Sequence, residues 1–124
     1  MIQDISAYLD SSLSTLTAGS NLFVSFLPTS PDIAVAIYES SGQDDLALGG
    51  PVMYRTADLQ VITRGLTYPN TEALALSVHN LLNKLNITVN SQKYLSFSPV
   101  ARPVLIDRDQ TDRYVFSGNY EIKW

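Results

Sequence analysis

His79 is the sole histidine of the chain, so a Ser-His-Asp arrangement has only that residue to use. It falls inside a helical apolar pattern, and no Gly-x-Ser-x-Gly elbow occurs to present a nucleophile. One histidine and no cysteine leave zinc without a ligand set, so no metal and no cofactor is expected. Asp107, Asp109 and Asp112 approach the spacing of a calcium loop. However, Asp112 stands where the sixth-position glycine belongs, and Gly118 stands where the twelfth-position glutamate belongs. With Arg108 and Arg113 to balance the carboxylates, the segment reads as a polar hairpin turn. Asp44 and Asp45 are adjacent, which fixes no geometry for acid and base on a loop, so they read as a solvated tip. Gly42, Gly49 and Gly50 precede neither a Gly-Lys-Ser/Thr sequence nor a helix, so they do not form a phosphate loop. Asn86-Ile87-Thr88 matches a glycosylation sequon by chance. The chain is expected to have no catalytic residues.

Composition narrows the classes further. With 124 residues there is material for one core, and the whole of 1–124 is expected to be a single domain. No apolar run approaches the roughly 20 residues of a membrane span, and the first residues lack the charged and apolar regions of a signal peptide. The net charge of −4 and scattered Lys and Arg argue against wrapping nucleic acid, which needs clustered cations. Only 16% of residues are charged, a low density that leaves surface free for protein contacts.

The elements follow from periodicity. Ile2, Ile5, Leu9, Leu13 and Leu16 predict a helix from about Ile2 to Thr17, stopped at Gly19. Leu22–Leu27 predicts a strand, Thr29–Asp32 a turn, and Ile33–Glu39, apolar on both faces, a central strand. Ser40–Pro51 shows no clear period and predicts a loop of about a dozen residues. A strand then ends at Arg64, whose side chain is read either as an exposed strand-end charge or as a contact. A second helix is expected from about Asn70, its stripe made by Leu74, Val78, Leu81, Leu82 and Leu85. Ile87–Val100 predicts short strands or an irregular arm. Tyr114–Trp124 alternates cleanly and predicts an antiparallel strand, with a bulge at Gly118. The expected fold is α+β: two helices on one face of a mostly antiparallel sheet.

Three blocks of this pattern carry a family resemblance. Ser30–Gly42 (SPDIAVAIYESSG), Leu59–Leu85 (LQVITRGLTYPNTEALALSVHNLLNKL) and Asp107–Trp124 (DRDQTDRYVFSGNYEIKW) occur in an order and spacing that resemble the tail terminator, or tail completion, proteins of long-tailed phages. Such chains are also catalogued as minor capsid or neck proteins. The resemblance implies a virion subunit at the tail–neck junction, assembled in the host cytoplasm, with no enzymatic activity. It implies a hexameric ring of identical subunits that caps the head-proximal end of the tail tube, stops its polymerisation and joins it to a neck or head-completion protein. DNA would pass through the lumen without specific binding, and no membrane is involved. Ser40, Ser41, Gly42, Gln43, Asp44, Asp45 and Arg64 are the candidate contacts with other subunits, the tube or the neck. Glu39, Asp44 and Asp45 are the candidate lumen-facing acids, since like charge keeps DNA from sticking. Two rivals remain at this point. One is a neck or head-completion connector ring of the same fold; the other is a small-molecule-binding or enzymatic domain built on His79.

Overall fold

A computed structural model describes residues 1–46 and 52–124. The chain forms α1 (Ile2–Ser12), β1 (Leu22–Val24), β2 (Ala34–Leu46), β3 (Val52–Gly65), α2 (Tyr68–Leu81), β4 (Lys84–Val89), β5 (Gln92–Arg108) and β6 (Tyr114–Lys123). All strands belong to one six-stranded sheet in the order β1-β2-β3-β6-β5-β4. β1 runs parallel to β2, and every other neighbouring pair is antiparallel. The architecture is the expected α+β fold.

Both helices pack on the same face of the sheet. Val35 and Ile37 of β2, Leu59 and Val61 of β3, and Tyr120 and Ile122 of β6 point to that side, where they meet Ile5, Leu9, Val78 and Leu82. The period of two that places these strand residues on one face is the reason a single apolar layer suffices. Aromatic rings close the β5 side of this layer: Phe97 lies 5.4 Å from both Tyr8 and Tyr94 between ring centroids, and Tyr94 lies 5.9 Å from Trp124.

Several boundaries differ from the sequence reading, each for a local reason. α1 stops at Ser12, because Leu13 is extended (φ −120°, ψ 115°). The Ser- and Thr-rich stretch after it is held by side chains instead of helical bonds. Asn21 accepts from the Thr17 N–H at 2.7 Å and donates to the Thr15 carbonyl at 2.7 Å. Leu16 is nevertheless buried, so its place in the apolar stripe reflected burial and not helix. α2 starts earlier than Asn70. Thr67 is the extended N-cap residue, and Pro69 lies inside the first turn, where its missing N–H costs nothing. α2 also ends earlier, at Leu81, and Leu85 lies 71% exposed on β4. The expected strand over Leu22–Leu27 is only three residues long, and Ser25 has φ 66°.

The largest differences lie in two segments. Ser40–Leu46 continues β2 and pairs with β3 as far as Leu46↔Val52, with irregularities at Glu39/Ser41 and Asp45/Leu46. The remainder of the expected loop, 47–51, lies outside the described residues. Of the two readings of Ile87–Val100, short strands or an irregular arm, the strand reading holds: it covers the second half of β4 and the start of β5, but β5 is long and runs unbroken through Pro99 and Pro103 to Arg108. Gly118 is not a bulge, since β3 and β6 pair without a register shift there. The irregularities lie in its partner β5, between Pro99 and Val104. A Cβ on Gly118 would meet the Tyr120 hydroxyl at 2.9 Å and Pro103 Cγ at 3.4 Å, so close approach is what this position requires.

Candidate contact surface

Arg64 ends β3 next to Gly65, where a Cβ would lie 2.2 Å from Thr71 Oγ1 and push α2 away. That tight corner turns the Arg64 side chain inward. It is 3% exposed, and its guanidinium donates to the carbonyls of Pro28 at 2.6 Å, Pro31 at 2.5 Å and Asp32 at 3.2 Å. Desolvation, followed by the nearby Arg113 charge, lowers its affinity for the proton. Arg113, also buried, holds the same loop from the other side. It donates to the Thr29 carbonyl at 2.6 Å and pairs with Asp109 at 2.7 Å and Asp32 at 3.3 Å. Arg64 is therefore neither an exposed strand-end charge nor a surface contact in this chain. Its donors are used to hold residues 28–32, which contain a cis Ser30–Pro31 bond.

Asp109–Arg113 forms the turn between β5 and β6, with Asp107 and Arg108 still paired in β5. Desolvation pushes the Asp109 carboxyl up, but donors from the Arg113 backbone, the Thr111 hydroxyl, the Arg113 guanidinium and the Thr111 backbone outweigh it and hold the group down at about 2. Those bonds make the turn a self-contained cap. His79 lies on α2 and shares a 3.1 Å hydrogen bond between Nδ1 and the hydroxyl of Tyr120, whose own pKa burial pushes up to about 12. Its partner is thus a core tyrosine. Among the described residues, no group of three or more His, Asp or Glu side chains could hold a metal ion. No helix there is long and apolar enough to cross a membrane.

The surface features left over among the described residues include two strand edges and two grooves. β3 pairs with β6 only from Thr56 to Gly65, and the Arg55 and Trp124 backbones exchange bonds of 2.6 and 2.9 Å where β6 ends. Beyond that point β2 and β3 project as a two-stranded ribbon. Ser40, Ser41, Gly42 and Gln43 lie exposed on the stretch of β2 that leads into it and Asp44 at its base, so the structure places the expected contact residues on one strand; Asp45 is described in its backbone alone. Asp44 pairs with Arg55 across the ribbon at 3.3 Å, and Ser41 hydrogen-bonds Asp58. A groove of about 320 Å³ runs between the ribbon and Trp124, bordered by Glu39, Asp44 and Arg55. A larger groove of about 650 Å³ lies beside α2, lined by Ile33, Leu66 and Leu74, with Arg64 at its base. The second open edge is β5 beyond Phe97, the last residue that β4 pairs. Sequence reasoning missed it. The signal that was available was Val100 after Pro99 and Val104-Leu105-Ile106 after Pro103, apolar residues on a strand that prolines mark as an edge.

A single sheet with helices on one face, no assembled catalytic group and two open strand edges suits a subunit that works through contacts. The family comparison agrees: a family model described as bacteriophage tail terminator protein matches residues 8–124. The chain belongs to that family. Its members are structural components of the phage tail and not a class of enzymes. No individual curated protein matches the chain. Membership makes this a virion component acting with other tail parts.

Proposed function

We propose that this tail terminator closes into a ring, six subunits round, on the head-proximal end of the tail tube. There it ends tube polymerisation and presents the joint to a neck or head-completion protein, at the tail–neck junction of a particle assembled in the host cytoplasm. One observation carries the reading. The sheet has open edges on both flanks, and they differ in sequence and charge, as a head-to-tail contact that repeats and closes requires. The ribbon from Ser40 to Asp45 serves as a contact in this ring. Glu39, Asp44 and Asp45 then belong to contacts before they belong to a lumen wall, because Asp44 already has Arg55 as its counter-ion. DNA passes through without specific binding.

Native mass spectrometry over a concentration series tests the ring. The expected result is a closed species of six 13.7 kDa chains, with no larger members of a ladder. Adding the protein to growing tail tubes should halt them at a defined length. Tubes that grow on regardless would overturn the assignment to tube capping.

A further inference from the structure

From Val100 to Arg108 the side chains of β5 are exposed on both faces of the strand, apart from partly covered Pro103. Val100 is 67% exposed and Ile106 55%, and Val104 and Leu105 are exposed as well. No strand covers the outer edge of this segment, since β4 pairs with β5 only between Gln92 and Phe97. An apolar strand open on two faces and an edge is a template for another chain. Pro99 and Pro103 lack N–H groups, which blunts the edge against arbitrary partners and restricts the registers a partner strand can take.

The partner with the right chemistry is on the opposite flank of the same sheet. β1 pairs with β2 only at Val35–Ile37, so among the described residues no strand pairs with the outer edge of β2 over 39–46. The two flanks carry opposite charge. Lys84, Lys93, Arg102 and Arg108 are exposed on β4 and β5, with Asp107 as their acidic neighbour. Glu39, Asp44 and the half-buried Asp58 lie along β2 and its partner β3, with Arg55 as their basic neighbour, and Asp45 follows on β2. A β5-to-β5 or β2-to-β2 contact sets like charge against like, whereas β5 against β2 sets Arg102 and Arg108 against acids. Near its tip the ribbon sequence also carries Leu46, Val52, Met53 and Tyr54, apolar types suited to the β5 strip.

The placement of the two edges fits closure. β5 is open at the end of the sheet where Arg108 meets Tyr114 and Tyr114 meets Gly65. β2 is open at the other end, where Gln43 meets Thr56 and Thr56 meets Lys123. Joining them offsets each sheet along its strands relative to the next, and a sheet that closes on itself needs such a stagger. We infer that Val100–Arg108 of one copy lies along Glu39–Leu46 of the next, so that the sheets run on from subunit to subunit. This inference rests on the ring reading above but names a contact that a ring does not by itself require.

The absence of cysteine makes the test clean. Ser40→Cys and Val104→Cys are made as separate single variants and treated with a short bis-maleimide, alone and mixed, free and on tail tubes. The mixture should give linked pairs, while each variant alone should give none. Linking by Val104→Cys alone would show β5-to-β5 pairing and overturn the inference. So would an unlinked mixture in a sample that native mass spectrometry shows to be oligomeric, an outcome that leaves the ring itself standing. Linked pairs that never close at six and never arrest tubes would keep the contact and remove the ring. Protein that stays monomeric even on tubes would overturn both. As a second check, Arg102→Glu or Glu39→Lys should each weaken assembly roughly tenfold, and the double swap should restore it. Failure of the swap to restore assembly would count against this pairing.

Discussion

Arginine is buried and valine, leucine and isoleucine are exposed in two regions of this molecule that lie at the same end of the sheet. Arg64 and Arg113 are withdrawn from water, with carbonyls of residues 28–32 and the Asp109 carboxylate around them. Val100, Val104, Leu105 and Ile106 stand in solvent on β5. Both reverse the usual order of burial, and the informative observation is always that reversal. In the first region every buried polar group finds its partner inside the chain, so the reversal serves the fold. In the second the apolar groups find no cover among the described residues, which is what an assembly contact of the kind inferred above would use. The same sheet therefore has one region finished by folding and one that the inference above gives to a neighbour.

The sharpest way to break this comparison is to remove the finished half. Arg64→Ala leaves the carbonyls of Pro28, Pro31 and Asp32 without their donor, and it should destabilise the chain by about 3 kcal/mol. Urea unfolding monitored by Trp124 fluorescence measures it. Arg64→Lys should recover only part of the loss, because one ammonium cannot match the guanidinium fork. A loss below about 0.5 kcal/mol would mean that Arg64 is not the fastener of that loop.

His79→Ala comes next. It removes the 3.1 Å bond to Tyr120 and part of the ring contact at 5.7 Å, and should cost about 1 kcal/mol. Ring formation and tube capping should be unchanged in the variant. A loss of either without loss of stability would return His79 to the list of functional groups.

These expectations also mark what the sequence made legible. Helices and central strands could be read because their faces are buried, and burial imposes a period on residues such as Leu59, Val61, Tyr120 and Ile122. Arg64 could not be read, since nothing in the local pattern reveals that three carbonyls from a loop thirty-odd residues upstream will surround it. The ribbon and β5 were illegible for a different reason. A strand exposed on both faces has no alternation to display, so Ser40–Leu46 resembled a loop and the long run of β5 past Val100 did not show as one strand. The candidate contacts from Ser40 to Asp45 were named from family resemblance, and the exposed apolar run Val100–Ile106 was not singled out because no periodicity pointed to it.

A smaller effect separates acid from neutral conditions at the β5–β6 turn. Asp109 is held at about 2, below the usual value of about 3.9 for an aspartate. A depressed carboxylate contributes stability that is complete above its unfolded value and fades as pH falls through its folded one. Asp109→Asn should therefore lower the melting temperature at pH 7 and by much less near pH 2. An equal deficit at both pH values would show that the turn depends on the shape of the side chain and not on its charge.

The smallest stability effect is the one that most directly tests the division between the two regions. Val104 is 54% exposed and pairs with Ser117 through backbone alone, so Val104→Ser removes little that folding has buried. Its unfolding free energy should stay within about 0.5 kcal/mol of the unaltered chain. The same change removes an apolar group from the centre of the strip that a neighbouring ribbon is inferred to cover, where truncating a well-packed side chain weakens association by more than about 1 kcal/mol per contact. A ring repeats that loss at every interface, so assembly and tube arrest should fall sharply while the monomer melts as before. Should the variant instead assemble normally, the β5 strip lies outside the ring contact and faces the tube or the neck. Should it unfold, the strip belongs to the core of this subunit, and the contrast with Arg64 disappears.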